Sequence, residues 1–312
     1  MKESEEEPMG LQPVNGPAGS AIPEQPARWV TFAKYLLFVV GAAFLAIVVI
    51  FPTAYLFQTG FGGGLSSFWQ NISSPEALFS LRFSLVLALA TTMINGVMGT
   101  VVAFALLKDG LPFRGLLDAL VDVPLIIPSS VTGLTLLLLY GPIGLLGDLF
   151  DGAGVTIMFA FPGILIAHVF LTLPFVVRAV KPVLEQADRR EEEAAKILGA
   201  NQVQIFTGIV LPAIKGGLIS GCVFTFIRSI GEFGVTILVS GNLALKTQTA
   251  PLFVFSEFNE DNIAAASAMS VLLVVISFIL FFGTKFMLRF VEPRRIPIGK
   301  RFVIKESQQA IL

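Results

Sequence analysis

Charged residues make up only 14% of this 312-residue chain, against roughly 25% in ordinary soluble domains. A sequence so poor in charge cannot cover a water-facing surface. Cysteine and histidine are nearly absent, with Cys222 and His168 the single examples of each. One thiol rules out a disulfide framework within the chain, and one thiol with one histidine supplies no thiol-ligated metal cluster. No GxxxxGK[ST] phosphate-binding loop occurs,. The net charge of −1 points to neither nucleic acid nor an anionic surface as a partner. No set of nucleophile, base and metal ligands converges, so the expectation is no catalytic residue, no metal and no cofactor in this chain.

What the chain has is apolar residues, 54% of the total, gathered in blocks. A bilayer core of about 30 Å takes roughly 20 such residues as a helix. Six stretches qualify, at about 35–57, 83–107, 121–140, 157–177, 216–239 and 264–286. The fifth carries Arg228 and Glu232. Lys and Arg are unevenly shared between the connections. Eighteen fall in the N-terminal tail, the second and fourth connections and the C-terminal tail, whereas only Arg82 and Lys246 fall on the opposite side. Positive residues resist translocation, so both termini and the fourth connection, 178–215, are expected in the cytoplasm. Residues 1–28, acidic and rich in Pro and Gly, read as a disordered tail. Residues 291–312 read as a basic cytoplasmic tail, and 29–290 as the membrane domain.

Pro52, Pro124, Pro128, Pro162 and Pro174 lie in or beside the spans. Each removes a backbone donor and is expected to kink or break its helix, which calls for a packed bundle or a wet cavity. His168 reads as a satisfied interior histidine, and Asn95 as a donor or acceptor between helices.

The fourth connection holds the most information. Residues 186–198 combine good helix formers with an apolar set, Ala194, Ala195, Ile197 and Leu198. Gly199 then suits a left-handed stop. A second amphipathic stretch with Val203, Ile205 and Phe206 leads to Ile209-Val210-Leu211-Pro212. The pattern predicts a helix–turn–helix on the membrane face. Glu193-Ala194-Ala195, then Gly199, Ile209 and Leu211-Pro212, at these spacings, resembles the EAA motif of ATP-binding-cassette (ABC) importer permeases. The resemblance implies an all-α integral membrane protein of six transmembrane helices, with the type I importer permease fold. It also implies that the loop docks on a separate ATP-binding subunit, present in two copies, which binds the ATP and Mg. Further implied partners are a second, related permease and a periplasmic binding protein, in a bacterial-type inner membrane.

Arg228-Ser229-Ile230-Gly231-Glu232-Phe233-Gly234 resembles the signature of permeases for tetrahedral oxyanions. A full first span is more like the sulfate/thiosulfate members than the shorter molybdate ones; T-type and W-type features both occur. The alternatives are a molybdate or tungstate permease and, from other classes, a membrane-embedded enzyme or a secondary transporter. The enzyme lacks convergent catalytic groups, and the secondary transporter lacks an evident internal repeat. Arg228, Ser229, Glu232 and Phe233 are the candidate pathway or gate residues. Arg228 and Glu232, four apart, are expected on one helical face. Two readings stand for them: a positive charge offered to an anion route, or a neutralised pair that locks the helix.

Overall fold

A computed structural model describes residues 28–107, 111–187 and 189–291. The acidic tail up to residue 27 and the basic tail from residue 292 lie outside the described residues. All regular structure among the described residues is helical. Residues up to Thr53 form one unit and those from Ala54 another.

The first unit holds α1 (Arg28–Leu45), a π-helical turn (Ala46–Ile50) and the start of α2 (Phe51–Gly60). The run Phe32–Gly60 is long and apolar enough to span a membrane. Pro52 does not break it. In the π turn the Phe51 N–H bonds to the Ala46 carbonyl, five residues back, which widens the helix where the proline ring would meet the preceding turn.

The second unit continues with α3 (Gly64–Ile72), α4 (Pro75–Leu107), α5 (Arg114–Ile126), α6 (Ser129–Tyr140) and α7 (Gly147–Gly152). Next come α8 (Phe161–Gln186), α9 (Arg189–Ile197), α10 (Gln202–Ile205), a second π turn (Phe206–Val210) and α11 (Leu211–Ile230). The last are α12 (Gly234–Ser240), α13 (Ala250–Asn259) and α14 (Ile263–Val291). Helices α4, α8 and α11 pack on one another and form the centre. At one end of it Ala103, Leu106, Val176, Val180, Ile205 and Ile214 make a buried cluster. At the other end Leu87, Ile164, Ala167, Leu171, Val235 and Val239 make a second.

The helices differ from the spans read in the sequence at several places. Among the described residues, five helices are long and apolar enough to cross a membrane, or up to six if a bent pair counts as one. That pair is α5 and α6, expected as one span over 121–140 but bent by 105°. Ile127 and Pro128 are extended there, and Pro128 keeps its preceding residue out of the helical region,. The fifth stretch is likewise not one helix. It breaks at Gly231–Phe233 between α11 and α12. Other prolines are absorbed: Pro162 sits in the first turn of α8, and α8 runs on through Pro174 and Pro182 to Gln186.

Candidate functional site

The connection between α8 and α11 is the first place where the expected residues gather. Helix α9 starts at Arg189, after a break at Ala187, rather than at residue 186. It ends where Gly199 adopts φ +84°. That left-handed angle closes the helix with two backbone bonds, Gly199 N–H to Lys196 O at 3.0 Å and Ala200 N–H to Ala195 O at 3.0 Å,. Two residues later Asn201 caps α10. Its side chain accepts from Gln204 N–H at 2.9 Å, and the Gln204 side chain accepts from Asn201 N–H at 2.8 Å,.

The second helix of this loop is not separate from the span that follows. Gln202–Ile230 runs as one helical stretch, with the π turn before Pro212. Leu211 N–H reaches back to Phe206 O, repeating the device seen before Pro52. Ile205, Val210 and Ile214 anchor this helix in the core, and Ala195, Ala200 and Ile209 pack against the same cluster. Glu193 and Ala194 stay exposed. So do Ile197 and Leu198, at 86% and 87%. The loop therefore has an anchored side and an outward side carrying two bare aliphatic groups and a carboxylate.

The second gathering is at the break after α11. Arg228 lies in the last turn of α11, while Glu232 lies beyond its end, so the two do not share a helical face as the spacing suggested. They pair nonetheless: an Arg228 guanidinium nitrogen contacts a Glu232 carboxylate oxygen. The other carboxylate oxygen accepts from the Val235 N–H at 3.0 Å and caps α12. Ser229 is buried, and Phe233 rests against Phe255 with ring centroids 5.2 Å apart. Phe233 also borders an apolar groove of about 630 Å³ with Val254, Phe258 and Leu273.

This break faces the other one. A Cβ at Gly234 would collide with the Ser129 hydroxyl at the start of α6, so the two interrupted spans touch at their interruptions. Backbone interrupted within a span is tolerated where it is buried in protein or lines a water-filled cavity.

Behind the break runs a buried polar track. His168 bonds through Nδ1 to Ser229 Oγ at 2.7 Å and through Nε2 to Thr236 Oγ1 at 2.9 Å. The Thr172 hydroxyl donates to His168 O at 2.7 Å, and Asn95 Nδ2 donates to Thr172 Oγ1 at 2.8 Å and to Val169 O at 3.1 Å. The expectations for His168 and Asn95 hold. Thr172 and Thr236 were missed, although hydroxyls inside long apolar runs are a readable signal.

Also missed was an ionic cluster joining α5 to α8. Arg178 grips Asp122 with two parallel bonds, Nε at 2.8 Å and Nη2 at 2.6 Å. It also reaches Asp118 Oδ1 at 2.9 Å, where Lys181 joins at 2.8 Å. Arg178 and Lys181 counted in the sequence only as positive charge. The matching acids, one helical turn apart in a preceding segment, were the available clue.

Comparison with known proteins accords with this geometry. The model of the family described as "binding-protein-dependent transport system inner membrane component" matches residues 95–297. "Sulfate permease 2, chloroplastic" of Chlamydomonas reinhardtii is 41% identical over 258 residues, 83% of this chain and 69% of that protein. The "sulfate transport system permease protein CysT" of a Synechocystis strain is 36% identical over 242 residues, 78% of this chain and 85% of that protein. A crystal structure of a bacterial ABC transporter for the acidic polysaccharide alginate contains a chain of the same fold. Its TM-score is 0.70 at 16% identity, covering 85% of this chain and 96% of that one.

Proposed function

The chain belongs to the family of binding-protein-dependent transport system inner membrane components, and from that premise we propose that it is a permease subunit of an ATP-driven sulfate importer. The observation that carries this reading is the α8–α11 loop. It is rigidly closed at Gly199, anchored on one side, and turned outward with Glu193, Ile197 and Leu198. Such a body can receive a push from a partner and pass it into α11, with which its second helix is continuous. The partner is an ATP-binding subunit in two copies, holding the ATP and Mg; this chain contributes no catalytic group. The bent pair α5–α6 counts as the third of six spans, and the termini and the α8–α11 loop face the cytoplasm, in keeping with the basic residues there.

Sulfate or thiosulfate, delivered by an external binding protein, passes between this subunit and a second, related permease. The relatives named as sulfate permeases support that substrate class. Arg228, with its side chain 42% exposed, supplies the positive charge that a dianion meets at the break, and Phe233 is the adjacent gate residue. The test is uptake of labelled sulfate in a strain lacking the subunit, with and without the gene restored. Restored uptake that unlabelled thiosulfate, but not molybdate or tungstate, suppresses is the expected result. Restored uptake suppressed by molybdate alone would reassign the substrate.

A further inference from the structure

The break in the fifth span is not held by its own backbone alone. His168, on α8, bonds to both sides of it: to Ser229 in the last turn of α11 and to Thr236 in the first turn of α12. All three residues are at least 97% buried. The bonding pattern fixes the tautomer. The Thr236 hydroxyl donates to Glu232 O at 3.3 Å, so its oxygen accepts from the ring and Nε2 carries the proton. Nδ1 then accepts from the Ser229 hydroxyl. Every polar atom of the ring is used, and each bond lands on a different half of the broken span.

The position of this bridge gives it more than a packing role. Eighteen residues separate His168 from Gln186 along α8, and eighteen separate Leu211 from Ser229 along α11. At about 1.5 Å per residue both distances are about 27 Å. The two helices that leave the outward loop are therefore tied together again at their far ends, at the level of the break. We propose that His168 is a positioning residue for transport. As a clamp on Ser229 and Thr236 it fixes the angle between α11 and α12, and so makes a displacement of the loop arrive at Arg228 and Phe233 rather than dissipate in a loose hinge. This rests on the transport reading above, because it takes Arg228 and Phe233 as the groups to be moved.

The assembled importer in proteoliposomes provides the test, in a Cys222→Ala background with spin labels at Phe224→Cys on α11 and Leu243→Cys beyond α12. His168→Leu alone would strand two buried hydroxyls. The decisive variant is therefore His168→Leu with Thr236→Val, in which Ser229 can turn back to the carbonyl of Thr225. A packing role predicts that this variant, once assembled, couples normally. The clamp predicts a broadened label distance and about ten-fold less sulfate moved per ATP, the upper range for a coupling position. His168→Gln, which can still accept from Ser229 and donate to Thr236, restores both. A double variant with the parental distance and parental coupling overturns the inference, as does one that fails to assemble while His168→Gln behaves no better. A parent complex that hydrolyses ATP yet moves no sulfate counts against the substrate reading alone, because the label distance still decides on the clamp.

Discussion

Glu232 is bonded to Arg228 but is far the more buried of the two, its side chain 3% exposed against 42%. The pair is therefore asymmetric. Glu232 also caps α12 through Val235 N–H, so it has a structural task that Arg228 lacks. Glu232→Gln keeps an acceptor for the cap and gives up the charge; Glu232→Met gives up both. The expected order of membrane abundance is parent, then Gln, then Met. Arg228→Met strands a buried carboxylate, at a cost below the roughly 3–5 kcal/mol of a fully buried pair because the guanidinium is partly in solvent. The Arg228→Met, Glu232→Gln double variant removes that stranded charge. It is expected in the membrane at near-parental amounts but slow in sulfate uptake. Parental uptake by that double variant would leave the pair with a structural task only.

Glu193 projects from α9 and is exposed. Reversing its charge with Glu193→Arg alters the outward side of the loop and nothing in the core. Normal membrane abundance with loss of ATP-driven uptake is the expected outcome, together with weaker co-purification of the ATP-binding subunit. Normal uptake and normal co-purification would remove the loop from the coupling role.

How much of this was legible from residues follows a physical divide. Helix type, the outward loop and the left-handed Gly199 were readable, because each depends on local backbone chemistry or on a run of apolar residues. The 105° bend at Ile127–Pro128 and the break at Gly231–Phe233 were not. Hydropathy is blind to direction, and a bent or interrupted span is as apolar as a straight one. Prolines misled in the same way. Pro128 breaks its span, whereas Pro52 and Pro212 are absorbed by π turns and Pro174 and Pro182 lie inside α8. What separates Pro52 and Pro212 from Pro128 is a widened backbone turn before the ring, which the apolar pattern of the sequence does not record. The His168 bridge joins residues 61 and 68 positions apart, a pairing that only packing creates.

Gly199 sits at φ +84° with no atom near the place a Cβ would take. Space is not the constraint there; backbone angle is. The left-handed region costs an ordinary L-residue roughly 1–2 kcal/mol, and Asn visits it more readily than most. Gly199→Asn should keep most of the sulfate uptake. Gly199→Val should lose it, with the spans still inserted and the ATP-binding subunit no longer retained. Equal uptake for the two variants would refute the turn explanation.

The last prediction concerns Arg178, which holds α5 to α8 just before the chain enters the outward loop. Its fork on Asp122 uses two nitrogens at 2.8 and 2.6 Å, and a third interaction reaches Asp118. These side chains are only 30–37% exposed. Hydrogen bonds to charged groups contribute about 1.5–3 kcal/mol each in such settings, with solvent screening favouring the lower end. Lysine has one donor centre and cannot reproduce the planar fork, so Arg178→Lys should lower the unfolding temperature of the detergent-solubilised protein despite conserving charge. Asp122→Asn keeps one acceptor oxygen for the fork and should fall between Arg178→Lys and the parent. Asp118 behaves differently, because it also serves Lys181 at 2.8 Å. Asp118→Asn removes the carboxylate that two cations share. Among the described residues, that leaves Arg178 only the Asp122 carboxylate and Lys181 only that of Glu185 at 4.0 Å. It should therefore destabilise more than Asp122→Asn and more strongly at low salt than at high salt. If charge alone holds α5 to α8, Arg178→Lys will melt with the parent, and the fork geometry is then irrelevant.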